Sequence, residues 1–402
     1  MSRRVVITGL GPVSSIGTGV AAFETALRAG RSGISPISSF DASGFPHRNA
    51  GEVTDFDPKG LLHTLDVDAW GRTSLFAAAA ARLAVQDSGI DPDVLSGSRA
   101  GSSMGTTSGE SQVIEAITGQ WVRQGWQQSA GAPAAQYPAS RLAVAVNREL
   151  GLTGEAITLS TACSASNYAL GYAYDQILTG AADYMVAGGA DSVARWAHAG
   201  FFRLGALTKE RCSPFDAGRS GILHGEGGAA LFLETLESAQ ARGANIYAEL
   251  LGYGLNCDAG HMVAPDPVSI AACMRLAHRN AGIYASDVDY ICAHGTGTPA
   301  NDAVEYRAVR DVFGHRTPPI SSIKSMLGHA MGAASGFGAI ASALAIHSGF
   351  LPPTINFTAA DPEMTDIDPV PNVARQTRVD VVQNNGFAFG GNNAITILGR
   401  AT

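Results

Sequence analysis

Residues 158–180, TLSTACSASNYALGYAYDQILTG, contain the pattern that decides the fold. A short apolar run at residues 156–159 has the length of a β-strand, and the small residues after it have the length of a buried helix. The turn between them places Cys163 at the predicted start of the helix. Unpaired backbone N–H groups and the helix dipole favour thiolate over thiol there. The alternative is a buried structural cysteine, the commoner state of a free cysteine.

A second stretch, residues 320–349, repeats this plan. Its sequence, ISSIKSMLGHAMGAASGFGAIASALAIHSG, again predicts a short strand, a tight turn and a long helix of Ala, Gly and Ser. We expect His329 to lie at the point of this copy that Cys163 occupies in the first. Such repetition predicts a duplicated, layered α/β domain with helices on both sheet faces, and the two small-residue helices packed closely at its centre.

The composition argues against several classes of protein. Of the 402 residues, 46% are hydrophobic and 15% are charged, which indicates a compact globular protein and argues against disorder. The net charge of −8, without a run of Lys or Arg, argues against a nucleic-acid partner. The cysteines fit neither a disulfide framework nor a CxxC metal site, because they are scattered at positions 163, 212, 257, 273 and 292.

Neither the N-terminus nor the least polar stretch predicts association with a membrane. The N-terminus, MSRRVVITGLG, has two arginines but no apolar segment of signal-peptide length. Residues 330–346 are mostly Ala and Gly, and the stretch is short and weakly apolar for a membrane span. We therefore expect a protein of the reducing cytoplasm.

Two histidines lie in settings similar to that of Cys163. His294 follows an apolar run at residues 290–293, and His329 follows the strand predicted in the second copy. Open α/β sheets place ligand sites just past the carboxyl ends of their strands. One cysteine and two histidines there can supply a nucleophile and two hydrogen-bond donors. Such donors suit a thioester oxygen or an enolate, because charge develops on it in the transition state.

Four motifs follow one another along the chain: TACSAS at 161–166, HGTGT at 294–298, KSMLGH at 324–329 and GFAFGGNN at 386–393. Together they resemble the elongating β-ketoacyl-acyl-carrier-protein synthases, condensing enzymes of the thiolase superfamily that serve type II fatty-acid and polyketide synthesis. The resemblance covers essentially the whole chain. It implies a thiolase-type layered αβαβα fold of two similar halves, at residues 1–250 and 251–402.

The resemblance implies roles for the residues of these motifs. Cys163 would take an acyl chain as a thioester. His294 and His329 would stabilise the enolate formed when carbon dioxide leaves malonyl-acyl-carrier protein. The backbone N–H groups of Cys163 and Phe389 would form the oxyanion hole, and Lys324 would organise the network around them.

A gate, substrate contacts and partners are implied in the same way. Phe389 would move to admit the second substrate, with Gly390 and Gly391 as its hinge. No cofactor is implied, since the substrates travel on the phosphopantetheine arm of acyl-carrier protein. The partners would be acyl-carrier protein and a second subunit, either a copy of this chain or a chain-length-factor-like protein, paired through the strand near the cysteine. The substrate-binding residues would be Thr296, Thr298, His261 and Asn393.

Three positions depart from the family pattern. Gly338 stands where relatives usually have a glutamate near Lys324, Val263 where many have threonine, and Asn392 where threonine is common. These changes favour a polyketide-type enzyme over a housekeeping fatty-acid elongase. We expect the growing chain to pass between the two small-residue helices, where small side chains leave space: Ala165, Ala333 and Ala334.

Other readings of the Cys-His-His set remain. A non-catalytic chain-length factor shares the fold but typically lacks the cysteine. A thiolase would use a second cysteine near the C-terminus, and none follows Cys292. A Cys-His hydrolase would need a base that activates water, and only the order of the four motifs argues against it.

Overall fold

The computed structural model describes residues 3–128 and 131–402. Most strands join one large central sheet, and the few others form two small sheets at its margins. The strands are β1 (Val5–Ser14), β2 (Gly17–Thr18), β3 (Ser35–Pro36), β4 (Asn49–Gly51), β5 (Ala100–Gly105), β6 (Ala156–Leu159), β7 (Tyr184–Asp191), β8 (His224–Gly225), β9 (Gly227–Thr235), β10 (Ala248–Cys257), β11 (Tyr290–Cys292), β12 (Ile320–Ser321), β13 (Phe350–Leu351), β14 (Arg375–Gln376), β15 (Val381–Phe387) and β16 (Asn392–Gly399).

The helices cover both faces of the large sheet. The helices are α1 (Val20–Ala29), α2 (Pro58–Leu61), α3 (Arg72–Ser88), α4 (Pro92–Ser96), α5 (Ser111–Gln124), α6 (Gly131–Ala134), α7 (Arg141–Leu150), α8 (Ala165–Thr179), α9 (Arg195–Arg203), α10 (Leu236–Ala241), α11 (Pro267–Ala281), α12 (Pro299–Phe313), α13 (Lys324–Leu327) and α14 (Ala334–Ser348). The two predicted small-residue helices are α8 and α14, and each ends at a glycine with left-handed backbone, Gly180 and Gly349.

The strand order repeats within the sheet. One half reads β1-β9-β7-β5-β6 and the other β10-β16-β15-β11-β12, which is the same order when each half is numbered along the chain. In both halves the last three strands are parallel and the first two pairs are antiparallel. A short antiparallel pairing of β1 with β10 joins the halves.

The helices complete five layers. Helices α3 and α7 pack together outside the first half, and α11 and α12 pack together outside the second. Between the halves, α8 and α14 contact each other and strands of both halves. The small side chains allow this, since a Cβ added at Gly336 would lie 2.9 Å from Ser166 Oγ of the facing helix. The predicted duplicated αβαβα fold is confirmed.

The boundary between the halves, predicted at residues 250 and 251, stays a prediction. Strand β10 of the second half runs through this position. In the part of the chain that the structure describes, every helix is too short or too polar to cross a membrane.

Candidate active site

Cys163 lies in a short 3-10 turn, Ala162–Ser164, between strand β6 and helix α8. Ala162 has a φ of 52°, and such a left-handed backbone costs a non-glycine residue about 1–3 kcal/mol. The surrounding structure must therefore hold this turn. The turn places the Cys163 side chain, 6% exposed, at the helix start that the sequence predicts.

The ionisation of Cys163 differs from the sequence-based expectation. Burial raises the pKa of the thiol to about 12. The charge of Lys324 and hydrogen bonds from the backbone N–H groups of Cys163 and Phe389 lower this pKa, whereas Asp191 raises it, and burial outweighs them all. The predicted thiolate is therefore wrong for this buried cysteine, which is a neutral thiol at pH 7. The two N–H groups still lie at the sulfur, where the oxyanion of an attacked thioester would form.

The second strand-turn-helix unit matches the first with a shift. The turn Met331–Ala333 precedes α14, and Met331 has a φ of 49°, as Ala162 does in the first turn. Aligning the two turns pairs Cys163 with Gly332, because each is the second residue of its turn. His329 lies three residues earlier, after the inserted helix α13, so the predicted correspondence of Cys163 with His329 is wrong.

His294 lies on a loop whose backbone is fixed on both sides. Its N–H donates to Glu305 Oε1 at 2.8 Å, and its carbonyl oxygen accepts from Lys324 Nζ at 2.6 Å. Glu305 also accepts from the N–H of Gly295 at 2.7 Å and from Asn385 Nδ2 at 2.9 Å. These hydrogen bonds hold the backbone that carries the imidazole.

The hydrogen bonds of His329 determine which ring nitrogen carries the proton. Its backbone N–H donates to the carbonyl of Leu223 at 2.7 Å, and its carbonyl accepts from the N–H of Gly225 at 2.9 Å. The N–H of Met331 donates to His329 Nδ1 at 3.1 Å. Because Nδ1 accepts, the neutral ring carries its proton on Nε2. His329 Nε2 is therefore a hydrogen-bond donor.

The imidazoles of His294 and His329 meet edge to face, with ring centroids 5.5 Å apart at 81°. Burial lowers the pKa of both rings well below the usual value, and the charge of Lys324 lowers them further. Both rings are therefore neutral at pH 7. The pair suits a group that gains negative charge only during reaction, since neutral donors stabilise it without mutual repulsion.

Lys324 lies behind His294 and outside the cavity. It is 4% exposed, and burial lowers the pKa of its ammonium group, whereas nearby Cys292 and Glu305 raise it. The glutamate expected near this lysine from the family resemblance would require Asn384 to move, since a Cβ added at Gly338 would lie 2.3 Å from Asn384 Oδ1. The position is filled from the neighbouring strand.

Phe389 lies exposed at the cavity mouth. Its ring stacks on Phe201 with centroids 5.7 Å apart. Gly390 and Gly391 follow with φ of 86° and 83°, and the N–H of Gly390 donates to the carbonyl of Met262 at 2.7 Å. A ring followed by two left-handed glycines fits the predicted gate, because side-chain-bearing residues disfavour this backbone.

One cavity of about 340 Å³ brings most of the predicted site residues together. Lys324, Gly390 and Asn393 are not among its lining residues. Neither are the three alanines expected along a passage between the small-residue helices, and that passage stays a prediction. The predicted residues that line the cavity are Cys163, His294, His329, Phe389, Gly391, Thr296, Thr298 and His261.

Thr296, Thr298 and His261 use part of their polar groups on their own loops. The hydroxyl oxygens of Thr296 and Thr298 are 2.9 Å apart, and Thr298 accepts from the N–H of Asn301 at the start of α12. His261 Nδ1 accepts from the N–H of Val263 at 3.1 Å. All three still present side-chain surface to the cavity.

Asn393 lies behind the wall of the cavity. It is 1% exposed, and its Nδ2 donates to Asn256 Oδ1 at 3.0 Å and Asp258 Oδ1 at 2.6 Å. Asp258 in turn lines the cavity and donates its N–H to the carbonyl of Gly391. Asn393 therefore orients the loop beside the gate, and a direct substrate contact predicted for it is not available in this arrangement.

Three residues near the site were missed from the sequence: Glu305, Phe201 and Asp191. Glu305 stands in a helix that opens directly after the HGTGT loop, where a carboxylate can accept loop N–H groups, so a signal existed. Asp191 ends an otherwise apolar strand, also a usable signal. No pattern in the sequence indicates that Phe201 reaches the gate.

The comparisons with known proteins agree with this geometry. Residues 2–239 match the model of the β-ketoacyl synthase N-terminal domain, and residues 247–358 match that of the C-terminal domain. The chain belongs to the β-ketoacyl synthase family. It is similar to 3-oxoacyl-[acyl-carrier-protein] synthase 2 of Coxiella burnetii (strain RSA 493 / Nine Mile phase I), with 40% identity over 99% of each chain.

Two solved structures are similar over the full length of both chains. The first is the ishigamide ketosynthase/chain length factor, at 49% identity and a TM-score of 0.98. The second is a type II polyketide acyl-carrier protein in complex with its ketosynthase bound to the hexaketide, at 31% identity and 0.91. This β-ketoacyl synthase is thus a condensing acyltransferase of polyketide or fatty-acid biosynthesis, as the four motifs predicted.

Proposed function

We propose that this chain is the catalytic subunit of a type II polyketide ketosynthase, which draws its acyl groups from an acyl-carrier protein and pairs with a chain-length-factor-like subunit. The main support is that Cys163, His294 and His329 line one cavity, in a chain that is similar over its full length to a ketosynthase/chain length factor. A subunit that only set chain length would have no use for this set.

The first step is acylation of Cys163. The thiol attacks the thioester carbonyl of the acyl-loaded carrier protein. A new bond forms between the Cys163 sulfur and the acyl carbon, the bond to the carrier sulfur breaks, and the carrier thiol leaves with the proton. The backbone N–H groups of Cys163 and Phe389 stabilise the oxyanion between these events, and each such donor is worth about 10²–10³ in rate. Because the resting thiol is neutral, its proton leaves as attack proceeds.

The second step is loss of carbon dioxide from malonyl-acyl-carrier protein. His329 Nε2–H and the ring of His294 hold the thioester oxygen, which becomes an enolate oxygen when the C–C bond breaks. The enolate carbon then attacks acyl-Cys163, forming the new C–C bond and breaking the C–S bond, and the released Cys163 thiolate takes up a proton from water. Neutral histidines suit this step, because they stabilise the enolate without giving it a proton.

The partner subunit is proposed to bind at strand β6. This strand ends the large sheet, each of its four residues is half-buried, and it lies four residues before Cys163. An edge strand has unpaired backbone groups that can bond to a second chain. A partner there would contact the loops next to the nucleophile.

The experiment supplies acyl-loaded carrier protein and malonyl-acyl-carrier protein to the purified chain in separate incubations. Mass spectrometry should find one acyl adduct, at Cys163. Cys163→Ala should lose it and keep carbon dioxide release, whereas Cys273→Ala, which removes a buried cysteine outside the cavity, should keep the adduct. An adduct at another cysteine would contradict the site.

Dependence on a partner separates the polyketide proposal from the second candidate, a fatty-acid elongase, which the similarity to 3-oxoacyl-[acyl-carrier-protein] synthase 2 favours. Co-expressed with the product of a neighbouring ketosynthase-like gene, the chain should elute as a heterodimer and extend acyl groups only in that form. Extension of saturated acyl chains by a homodimer would support the elongase instead. A stable monomer would contradict both.

A further inference from the structure

Asp191 connects three separate segments from a buried position. It is the last residue of β7 and 1% exposed. Its Oδ1 accepts from Thr106 Oγ1 at 2.8 Å and from the N–H of Ser108 at 3.1 Å. Its Oδ2 accepts from the N–H groups of Thr107 at 2.7 Å and Gly332 at 2.6 Å. One carboxylate thus satisfies four donors of the β5–α5 loop and the α14 turn.

The turn that Asp191 holds is also the turn that orients His329. Gly332 directly follows Met331, whose N–H donates to His329 Nδ1. Met331 has a left-handed backbone, which persists only where neighbouring groups enforce it. Gly332 is fixed further by Ser166 Oγ, which donates to its carbonyl at 2.5 Å.

We propose that Asp191 is a positioning residue for His329. This rests on the proposed role of His329 in stabilising the enolate. The carboxylate accepts the Gly332 N–H and so fixes the turn. The fixed turn directs the Met331 N–H to Nδ1 of His329, and that hydrogen bond keeps the proton of the ring on Nε2. No substrate contact is involved, because Asp191 does not line the cavity.

Only a carboxylate fits this position. Both of its oxygens accept, and its charge lies at the positive end of α14. An asparagine has one accepting oxygen, and its NH₂ group would face donors on the other side, so at least one backbone N–H would lose its acceptor. The substitution Asp191→Asn therefore removes at least one of these hydrogen bonds and the negative charge at the start of α14, with almost no change in volume.

The test is a double-mutant cycle on carbon dioxide release from malonyl-acyl-carrier protein. Asp191→Asn should lower the release by about 5- to 150-fold, the usual cost of leaving a buried N–H without an acceptor. In a His329→Ala background the same substitution should have almost no further effect, because residues that act through one group are not additive. A residue that only stabilises the fold would give multiplied losses.

A matched control is Glu234→Gln at the other end of the same sheet. Glu234 is fully buried and bonded to Thr8, and it pairs with Tyr184, the first residue of β7. The Glu234→Gln substitution should lower thermal stability with little change in carbon dioxide release. The positioning role would be overturned if Asp191→Asn released carbon dioxide at the wild-type rate. It would also be overturned if the losses from Asp191→Asn and His329→Ala multiplied in the double variant. If His329→Ala itself leaves the release unchanged, the proposed function fails, and the inference with it.

Discussion

The two central helices begin in the same way but differ in what occupies their N-termini. The turn before α8 faces β15, and its Cys163 N–H lies beside the thiol in the cavity. The turn before α14 faces β7, and its Gly332 N–H is bound by Asp191. Duplication gives two sites favourable to negative charge. The Asp191 carboxylate fills one, which leaves the other for charge that develops during reaction.

The largest expected effect comes from removing the two histidine donors that line the cavity with Cys163. His294→Ala and His329→Ala should each lower carbon dioxide release from malonyl-acyl-carrier protein by about 10²–10³, the usual worth of an oxyanion donor. Cys163 should still form its acyl adduct in at least one of them, since the N–H groups of Cys163 and Phe389 remain. Radiolabelled carbon dioxide measures the first quantity and mass spectrometry the second.

His278→Ala supplies the comparison for these variants. His278 is also buried, but its Nε2 bonds to Gln383 away from the cavity. Its loss should lower stability and leave carbon dioxide release within a few-fold. Losses of only a few-fold in all three variants would assign His294 and His329 to structure and remove the chemical difference between the two helix N-termini.

The next effect is the pH dependence of alkylation at the Cys163 thiol. A pKa of about 12 means that the thiolate fraction of Cys163 rises about tenfold per pH unit, so alkylation by iodoacetamide should rise roughly 100-fold from pH 7 to 9. Peptide mapping follows Cys163 alone, with Cys163→Ser as background. A plateau below pH 8 would show that the helix N-terminus outweighs burial, as the sequence suggested.

A smaller effect is expected from giving the first helix a carboxylate as well. A Cβ at Gly386 would lie 3.2 Å from Ser164 Cα, next to the nucleophile. Gly386→Asp and Gly386→Asn crowd this place equally, but only Asp adds charge. The charged variant should acylate about 10- to 100-fold more slowly than the amide at pH 8, because a like charge shifts a thiol pKa upward by about 1–2 units. Equal rates would mean that charge at this terminus does not matter.

The sequence predicted what local patterns can express. Strand, turn and small-residue helix are visible in residues 158–180, and Cys163, His294 and His329 follow from their places at strand ends. It did not predict the pKa of the thiol, because burial depends on distant segments such as the loop of Phe389. The inserted helix α13 shifted His329 against the repeat, and nothing in the spacing alone reveals such an insertion.

Asp191 and Gly338 show the same limit. The four donors to Asp191 come from residues up to 141 positions away, so no window of sequence contains the interaction. Gly338 departs from the family pattern, and the sequence suggested a missing partner for Lys324. The structure gives a different reason, since Asn384 occupies the space. A departure from a pattern thus marks a position, but its cause lies in what packs against it.

The smallest effect concerns the packing that holds the two helices together. Asn384 Nδ2 donates to Asn167 Oδ1 of α8 at 2.9 Å and to the carbonyl of Ser335 of α14 at 3.0 Å, so one side chain ties both helices. Gly338→Ala would place a methyl group 2.3 Å from Asn384 Oδ1. Overpacking costs about 1–3 kcal/mol, which exceeds the gain of up to about 1 kcal/mol from replacing glycine in a helix.

Gly338→Ala should therefore lower the free energy of unfolding by up to about 2 kcal/mol and leave acylation of Cys163 within a few-fold, because the turn before α8 is not displaced. Gly200→Ala is the matched control, since it also lies within a helix, α9, and a Cβ there meets nothing within 4 Å. It should raise the free energy of unfolding, and denaturant titration compares the two. Equal stabilisation by both would show that Asn384 can move aside, and the glutamate of relatives could then be accommodated at position 338.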